Sequence, residues 1–402
     1  MKVKIEPSLC SGKVKIPCSK SLAHRAIICA SLAPGISTIS NLTMSKDLQA
    51  TIQSMQALGA YIQVEGTQCI IHGITTWKSN PCDCNESGST LRFLLPIAAL
   101  SCQPLTLRGS RRLLERPLQI YEKIFKSQNL KFKKDAQEIQ IQGPLHADTF
   151  IIPGNISSQF ITGLLLACPL LKEDSIIQIL PPFESRSYVD LTIFMLKKFN
   201  IRILQPDPYT YIIPGNQTFK PYNYRIEEDY SQFAFFAVLN YLQGNHLQLP
   251  SMNHNSLQGD KKIIELMNNH QNADLSDCPD LGPILCVLSA FSDQPSHIFH
   301  VSRLRYKECD RIQAMEDELK KWGVHITSQK DEILIQGNPP YQNKKIIVMD
   351  GHNDHRIVMA CAIFALCAQS SSIIEGAEAI SKSYPKFFKD LIHLGAKISL
   401  LP

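Results

Sequence analysis

The sequence lacks a long apolar run and a strong excess of either charge, and each absence excludes a class of protein. The longest apolar stretch, residues 357–368, is shorter than the ~20 residues that a membrane-spanning helix needs. There are 41 Lys and Arg against 36 Asp and Glu, and a net charge of +5 is too small to indicate nucleic-acid binding. A local excess of cations in a pocket would still suit a small acidic substrate.

The 13 cysteines form neither a disulfide framework nor a metal motif. No Cys-x-x-Cys occurs, and the closest pair is Cys82 and Cys84. Since the N-terminal segment also lacks the apolar stretch of a secretory signal, we expect reduced thiols in a cytoplasmic protein without a bound metal. The composition, 44% hydrophobic and 19% charged, is typical of a globular chain of two or three domains.

One pattern recurs along the chain: an amphipathic helix, a short break, and then alternating apolar and polar residues. The spacings between successive breaks are 70, 71, 71, 52 and 72 residues, and a regular period indicates a repeated supersecondary unit. The break residues are Gly59, Asn129, Asn200, Gln271, Gly323 and Gly395. Gly and Asn tolerate the left-handed backbone that ends a helix, and the alternation predicts a hairpin after the break.

The fourth copy departs from this pattern, because no second strand follows the break at Gln271. Simple divergence and a loop kept for another purpose explain this equally well. Six units could form one ring, a solenoid or two domains of three, and we favour two α/β domains.

Polar segments rich in Ser, Gly, Lys and Arg precede the apolar helices of the first half. Hydroxyls, cations and free N–H groups at a helix N-terminus make an anion-binding site. Each segment alone is equally consistent with ordinary capping and solvated charge, but their recurrence indicates a ligand with several negative charges. The segments are Lys20–Arg25, Asn85–Arg92, Ser110–Pro117, Asn155–Phe160 and Glu184–Asp190.

In the second half, carboxylates join the cations at the predicted helix starts. Acidic groups beside cations can supply proton transfer as well as anion binding. The segments are Cys278–Pro283 with Asp280, Arg303–Arg311, Asn353–Arg356 and Ser381–Pro385.

Ten motifs, taken in order, resemble those of the 5-enolpyruvylshikimate-3-phosphate (EPSP) synthase family of enolpyruvyl transferases. The resemblance extends from Lys13 to the C-terminus, and the motifs that carry it are PCSKSLAHR, GSTLRFL, ERPL, SSQF, SYVD, LQGD, CPDLGP, RYKECDRI, NDHRIVMA and KSYPKFF. The resemblance implies an α/β fold of two similar domains, each of three βαβαββ repeats, in an inside-out α/β barrel. It implies one domain of residues 16–229 that mainly binds shikimate 3-phosphate. Residues 1–15 plus 230–402 would form the other, with the acid/base groups and phosphoenolpyruvate binding, and the active site would lie in the interdomain cleft.

The reaction implied by the resemblance transfers the enolpyruvyl group of phosphoenolpyruvate to the 5-hydroxyl of shikimate 3-phosphate. It proceeds by addition and then elimination of phosphate, in the shikimate pathway to chorismate and the aromatic amino acids. The resemblance implies no metal, no organic cofactor, no nucleic-acid or membrane partner, a monomer in the cytoplasm, and glyphosate as an inhibitor.

The resemblance also assigns roles to residues. Asp280 is the expected base for the 5-hydroxyl, Glu308 the expected proton donor to the methylene carbon, and Lys20 a catalytic residue that contacts both substrates. Asp354 and His355 are expected to support Arg356. Shikimate 3-phosphate binding is assigned to Lys20, Ser21, Arg25, Ser157, Ser158, Gln159, Ser185, Tyr188, Asp280, Arg303 and Lys307. Phosphoenolpyruvate binding is assigned to Lys20, Gly88, Arg116, Gln159, Arg311, Arg356 and Lys382.

Four positions depart from the usual family residues. Cys18 replaces Gly, Glu86 replaces Asn, and Phe93 replaces Pro beside the retained Gly88, which favours glyphosate sensitivity. Arg303 replaces Asn, and either contacts the shikimate phosphate or points to solvent.

Two alternative functions compete with transfer to shikimate 3-phosphate. The sister enzyme with a UDP-N-acetylglucosamine acceptor carries a loop cysteine, and the matching stretch, residues 109–117, has none. A non-catalytic protein that binds phosphorylated metabolites would not need Asp280, Glu308, Lys20 and Lys382 together.

Overall fold

The computed structural model describes residues 1–401, and its backbone divides into two compact units. The first, called the central unit, is Cys18–Glu227, and the second, called the terminal unit, joins Met1–Pro17 to the chain from Glu228 onward. The chain therefore passes from one unit to the other twice. Among residues 1–401, none of the helices has both the length and the hydropathy that a membrane span requires.

The N-terminal segment of the terminal unit contributes two strands, and the central unit follows with twelve strands and seven α-helices. The N-terminal strands are β1 (Lys2–Glu6) and β2 (Gly12–Lys13). The central strands are β3 (Ile36–Ser40), β4 (Tyr61–Glu65), β5 (Gln68–His72), β6 (Cys82–Asp83), β7 (Leu105–Arg108), β8 (Lys131–Lys134), β9 (Glu138–Gln142), β10 (Thr149–Pro153), β11 (Ser175–Leu180), β12 (Leu204–Asp207), β13 (Thr210–Ile213) and β14 (Tyr224–Arg225). The central helices are α1 (Lys20–Leu32), α2 (Lys46–Ala57), α3 (Gly88–Ala98), α4 (Arg111–Glu115), α5 (Gln119–Ser127), α6 (Ser158–Ala167) and α7 (Arg186–Lys198).

The three sheets of the central unit share one topology. In each, two parallel strands are followed by an antiparallel hairpin, in the orders β14-β3-β5-β4, β6-β7-β9-β8 and β10-β11-β13-β12. A helix connects the parallel strands of the second and third sheets, because a parallel pair requires a crossover. The first sheet takes its parallel partner, β14, from the end of the unit, so this strand closes the unit just before the second crossing.

The rest of the terminal unit supplies eight strands and six α-helices. The strands are β15 (Leu247–Gln248), β16 (Asn272–Asp274), β17 (Ser296–Phe299), β18 (His325–Ser328), β19 (Glu332–Gln336), β20 (Ile347–Asp350), β21 (Ser372–Glu375) and β22 (Lys397–Leu401). The helices are α8 (Tyr230–Leu242), α9 (Ile263–Leu266), α10 (Gly282–Ala290), α11 (Arg311–Lys320), α12 (His355–Cys367) and α13 (Phe387–His393). Short 3-10 helices occur in both units, at Cys168–Leu170, Gly259–Lys262, Pro279–Leu281, Ser302–Tyr306 and Ala377–Lys382.

Two sheets of the terminal unit repeat the central topology, and the third is reduced. The orders are β16-β17-β19-β18 and β20-β21-β1-β22, where the N-terminal β1 pairs antiparallel with the C-terminal β22. The third sheet holds only β15 and β2, which are parallel. These sheets confirm the predicted mixed α/β class.

The predicted helix breaks explain this reduced sheet. Five of the break residues have positive φ, as predicted: Gly59 (120°), Asn129 (55°), Asn200 (63°), Gly323 (84°) and Gly395 (99°). After the sixth break, at Gln271, no hairpin follows, and β16 instead begins the next sheet by pairing in parallel with β17. The missing hairpin accounts for the spacing of 52 residues where the others are 70 to 72. The sequence indicated a missing second strand, and in the structure the one strand after this break, β16, has no hairpin partner and pairs with β17 instead.

Each unit has a separate hydrophobic core. The long apolar helices α1, α3 and α6 lie in the central core, and α8, α10 and α12 lie in the terminal core, buried on nearly all sides. A helix that is apolar all round is buried in this way. Five of the nine polar segments found in the sequence lie at the N-termini of these buried helices, namely those that begin α1, α3, α6, α10 and α12. The core therefore fixes where these five segments lie.

Candidate active site

The first polar segment of the central unit begins α1 with two cations held in different ways. The Lys20 ammonium lies 2.8 Å from a carboxylate oxygen of Asp47, the second residue of α2. Arg25, one turn further, is 2% exposed and is held by the helix itself, because its Nη1 donates to the Ser21 carbonyl at 2.7 Å. Burial lowers the pKa of Arg25 to about 10, so the guanidinium stays charged at neutral pH.

Arg25 also joins α1 to α6 and α7. Its Nε donates to the Thr192 hydroxyl at 2.8 Å, and Nη2 donates to the Tyr188 carbonyl at 2.8 Å and to the Thr162 hydroxyl at 3.3 Å. The guanidinium lies 5.1 Å from the ring centroid of Phe93 in α3. A cation so enclosed loses little side-chain entropy when an anion binds.

A chain of hydrogen bonds inside the central unit joins α1 to the start of α3. His24 Nδ1 lies 2.7 Å from the Thr51 hydroxyl, which lies 2.7 Å from that of Thr90, whose Oγ donates to the Ser87 hydroxyl at 2.7 Å. Burial, aided by the nearby cations of α1, lowers the pKa of His24 well below its usual range, so the ring is neutral. Ser87 in turn caps α3 by accepting from the Thr90 N–H.

Gly88, the first residue of α3, is in close contact with Arg116. A Cβ at position 88 would lie 2.6 Å from Arg116 Nη1, closer than real Cβ atoms approach, so this approach requires glycine. Arg116 is only 7% exposed. The structure thus brings together two residues that the sequence placed in one binding site from separate motifs.

Gln159 in α6 is also joined to α3. Arg92 Nη1 donates to its Oε1 at 2.7 Å, which orients the amide so that Nε2 donates to the Ser89 hydroxyl at 3.0 Å. Ser157 caps α6 through the Gln159 N–H, and Ser158 is buried.

Ser185 and Tyr188 lie at the start of α7. Ser185 is the N-cap residue, buried, with a left-handed φ of 55°, a conformation that costs energy for a residue with a Cβ and clusters at functional sites. Tyr188 packs partly buried on the central core. The central unit therefore joins α1, α3, α6 and α7 through the residues predicted to bind substrate.

In the terminal unit, one carboxylate lies among three cations. Asp280 accepts from Arg356 Nη2 at 2.8 Å, from Arg311 Nη1 at 3.0 Å and from Lys307 Nζ at 3.2 Å. Its side chain is 17% exposed, so it is reachable from solvent. The cations stabilise its negative charge, and together they form a site for anions.

Arg311 is shared by three carboxylates and is 2% exposed. Its Nη2 donates to Glu308 at 2.9 Å, and its Nε donates to Asp354 at 2.7 Å, in addition to the bond to Asp280. Burial alone would lower the pKa of Arg311, but the carboxylates of Asp354, Glu308 and Asp280 outweigh it and raise the pKa. The predicted base and the predicted proton donor are thus bound to the same guanidinium.

Asp354 contacts both Arg356 and Arg311. It caps α12 by accepting from the Arg356 main-chain N–H at 2.8 Å, but its carboxylate binds the side chain of Arg311. The Arg356 guanidinium binds Asp280 and the Ser231 hydroxyl, the latter at 2.9 Å. His355 is buried, with Nδ1 3.9 Å from Asp354.

Two further predicted residues lie in 3-10 helices. Lys382 is 6% exposed, and its ammonium donates to the Asn353 carbonyl. Arg303 is also 6% exposed and does not point to solvent, because its Nη2 donates to the carbonyls of Ser276 at 2.6 Å and Leu275 at 3.3 Å.

Two residues that contact predicted site residues, Asp47 and Ser231, were not predicted from the sequence. Asp47 gives no local signal, because it meets Lys20 only through the packing of α2 on α1. Ser231 could have been found, since Ser231-Gln232-Phe233 repeats the Ser158-Gln159-Phe160 tripeptide at the start of another buried helix.

Among residues 1–401, no group of three or more His, Cys, Asp or Glu side chains is arranged to hold a metal ion. Each unit offers cations and hydroxyls, and the terminal unit adds carboxylates beside its cations. Groups of these kinds can bind phosphate and carboxylate groups and can transfer protons.

Comparison with known proteins identifies a family and several relatives. The model of the family described as EPSP synthase (3-phosphoshikimate 1-carboxyvinyltransferase) matches residues 5–270 and 267–391. The match is divided next to Gln271, where the hairpin is missing. The 3-phosphoshikimate 1-carboxyvinyltransferase of Clostridium perfringens is 41% identical over an alignment of 420 positions. The alignment covers 98% of this chain and 98% of that protein. That of Clostridium beijerinckii is 40% identical, over 98% of this chain and 97% of its own.

Solved structures share the fold. An EPSP synthase from Acinetobacter baumannii superposes with a TM-score of 0.81 at 21% identity, over all of both chains. The enolpyruvyl transferase NikO from Streptomyces tendae gives 0.79 at 14% identity, over 99% of this chain and 98% of its own. The family-model match and the two Clostridium relatives show that the chain belongs to the EPSP synthase family.

Proposed function

We propose that the protein transfers the enolpyruvyl group of phosphoenolpyruvate to the 5-hydroxyl of shikimate 3-phosphate, with release of phosphate, in the shikimate pathway. Family membership supports the reaction. The observation that carries the proposal is the Arg311 cluster, in which Asp280 and Glu308 share one buried guanidinium. A protein that only binds phosphorylated metabolites has no need for two carboxylates at a cationic site.

The central unit binds mainly shikimate 3-phosphate. Arg25 and Lys20 supply positive charge. Gln159 of α6, which is hydrogen-bonded to α3, contacts both substrates. The hydroxyls of Ser21, Ser157, Ser158 and Ser185 supply short hydrogen bonds, and Tyr188 packs on the ring. From the terminal unit, Asp280, Lys307 and Arg303 complete the binding of this substrate.

Phosphoenolpyruvate is bound by guanidinium and ammonium groups from both units. Arg116 next to Gly88 serves in the central unit together with Lys20 and Gln159. Arg311, Arg356 and Lys382 serve in the terminal unit. Arginine suits this role because its planar fork pairs with carboxylate and phosphate through two hydrogen bonds.

The reaction divides between the two carboxylates. Asp280 removes the proton of the 5-hydroxyl, whose oxygen bonds to C2 of phosphoenolpyruvate, and Glu308 protonates the methylene carbon to a methyl group. In the second step the methyl group returns a proton to Glu308, the double bond re-forms, and the C–O bond to phosphate breaks. The proton that Asp280 took from the 5-hydroxyl leaves with the released phosphate, so both carboxyl groups return to their starting states. Binding of two polyanions draws Arg356, Arg311 and Lys307 toward the substrates, which frees Asp280 to act as a base.

Replacement of the carboxylates by amides tests these roles. We expect Asp280→Asn and Glu308→Gln to lower kcat about 100-fold or more, because general acid–base catalysis contributes ~10²–10⁴-fold. Asp293→Asn and Glu265→Gln, both exposed in the same unit, are the matched controls. Wild-type kcat in Asp280→Asn or in Glu308→Gln would remove that residue from the mechanism.

The protein acts on small molecules, and we place it in the cytoplasm as a monomer that needs no cofactor. Light scattering coupled to size-exclusion chromatography tests the monomeric state, for which we expect a single species near 45.2 kDa. Treatment with a chelator tests whether a metal ion is needed, and we expect full activity afterwards.

A further inference from the structure

Two consecutive left-handed residues lie directly before α12. His352 has φ 48° and Asn353 has φ 50°, and neither is glycine. Such a conformation costs free energy and persists only where the surroundings hold it. The turn of residues 350–354, called the 350–354 turn, ends at Asp354, the cap of α12.

A buried carboxylate with no role in the proposed reaction holds this turn. Glu318 in α11 is 1% exposed. Its Oε1 accepts from His352 Nε2 at 2.9 Å, and its Oε2 accepts from the Asp350 main-chain N–H at 3.0 Å and from Lys321 Nζ at 2.7 Å. Two of the three bonds therefore go to the turn.

Two side chains on one face of α11 contact the 350–354 turn. Arg311 and Glu318 are seven residues apart, two helical turns, so they lie on the same face. Arg311 binds the side chain of Asp354, and Glu318 binds the side chain of His352. The helix that carries the substrate-binding guanidinium thus also fixes the strained backbone.

The 350–354 turn also contacts other groups of the proposed site. The Asn353 carbonyl accepts from the Lys382 ammonium. Asp354 binds Arg311 and caps the helix that carries Arg356. A relaxed turn would move the Asn353 carbonyl and the Asp354 carboxylate together.

We propose that Glu318 and His352 are positioning residues whose ion pair holds the 350–354 turn, and thereby Lys382 and Arg311, in the arrangement that binds phosphoenolpyruvate. The inference rests on the proposed function for the identity of that substrate. A misplacement of about 1 Å is enough to cost a large factor in rate.

The ion pair also makes the arrangement sensitive to pH. The hydrogen bond with the Glu318 carboxylate raises the pKa of His352, burial opposes this, and the charges of Asp350 and Asp317 add to the rise. Lys321 is the other charged group at Glu318. Because the folded pKa is raised, the stabilisation is present at low pH and is lost as the pH rises through that pKa.

The test compares three variants with the wild type in steady-state kinetics between pH 6 and 9. His352→Ala removes the donor, and His352→Gln keeps a neutral N–H at the position of Nε2. His325→Gln, an exposed histidine of the same unit, is the matched control. We expect His352→Ala to raise the KM for phosphoenolpyruvate about tenfold and that for shikimate 3-phosphate less than about twofold.

We expect His352→Gln to recover most of this loss at pH 7 and to lack the alkaline rise in KM that the wild type shows. Equal effects on both KM values, or a lower melting temperature with wild-type KM values, would overturn the positioning role. If His352→Ala does not fold, His352→Gln alone tests the inference. A pH dependence of its KM for phosphoenolpyruvate identical to that of the wild type would overturn the inference. Wild-type protein that releases no phosphate overturns the proposed function itself, which an inactive variant alone does not.

Discussion

Replacement of Arg311 by methionine is the sharpest test of the terminal cluster. The change keeps a long side chain in the core and removes the one cation that three carboxylates share. Asp280 retains Lys307 and Arg356 as partners. Asp354 is fully buried and loses the guanidinium that compensates its charge.

The magnitude follows from this burial. Removal of one partner of a buried ion pair costs about 3–5 kcal/mol, because the other charge stays buried without compensation. In a unit of this size, 1 kcal/mol shifts Tm by about 2–4 °C. We therefore expect Arg311→Met to lower the Tm of the terminal unit by about 6–20 °C at pH 7.5.

Calorimetry of the two proteins at pH 7.5 measures the effect. Lys320→Met on the same helix is the control, since its ammonium is exposed and pairs with Glu316 in the preceding turn, and we expect less than about 1 kcal/mol there. A Tm of Arg311→Met equal to that of the wild type would refute the argument that Arg311 compensates buried charge.

Two further predictions concern the central unit. Gly88→Ala forces Arg116 away, so we expect the KM for phosphoenolpyruvate to rise about tenfold. The Tm should change little, because the displaced group is the end of a flexible side chain. An unchanged KM would show that Arg116 does not bind this substrate. Phe93→Leu removes the ring against which Arg25 lies, an interaction of about 1–2 kcal/mol. We expect the KM for shikimate 3-phosphate to rise about five- to thirtyfold and that for phosphoenolpyruvate to stay constant, and the reverse pattern in steady-state kinetics would contradict this.

The parts of the molecule that the sequence predicted are those with a local cause. The helix starts at Lys20, Gly88 and Ser158 follow from polar caps in front of apolar runs, and the structure places them there. The left-handed breaks at Asn129 and Asn200 follow from the same kind of local rule. Local chemistry decides these features, so a single sequence is enough to find them.

The parts that the sequence did not predict depend on contacts between distant segments. The bond of Asp354 to Arg311 spans 43 residues, and the pairing of β1 with β22 joins the two ends of the described chain. Neither leaves a local pattern. The missing hairpin is an intermediate case, since the short spacing after Gln271 revealed that residues were absent but not that the strand after this break, β16, begins the next sheet.

Phosphate release from phosphoenolpyruvate tests the proposed function most directly. The purified protein is assayed with phosphoenolpyruvate alone, with added shikimate 3-phosphate, and in parallel with UDP-N-acetylglucosamine. We expect release only in the presence of shikimate 3-phosphate. Release only with the UDP-sugar would contradict the assigned acceptor, and no release from folded protein under any of the three conditions would contradict catalysis itself.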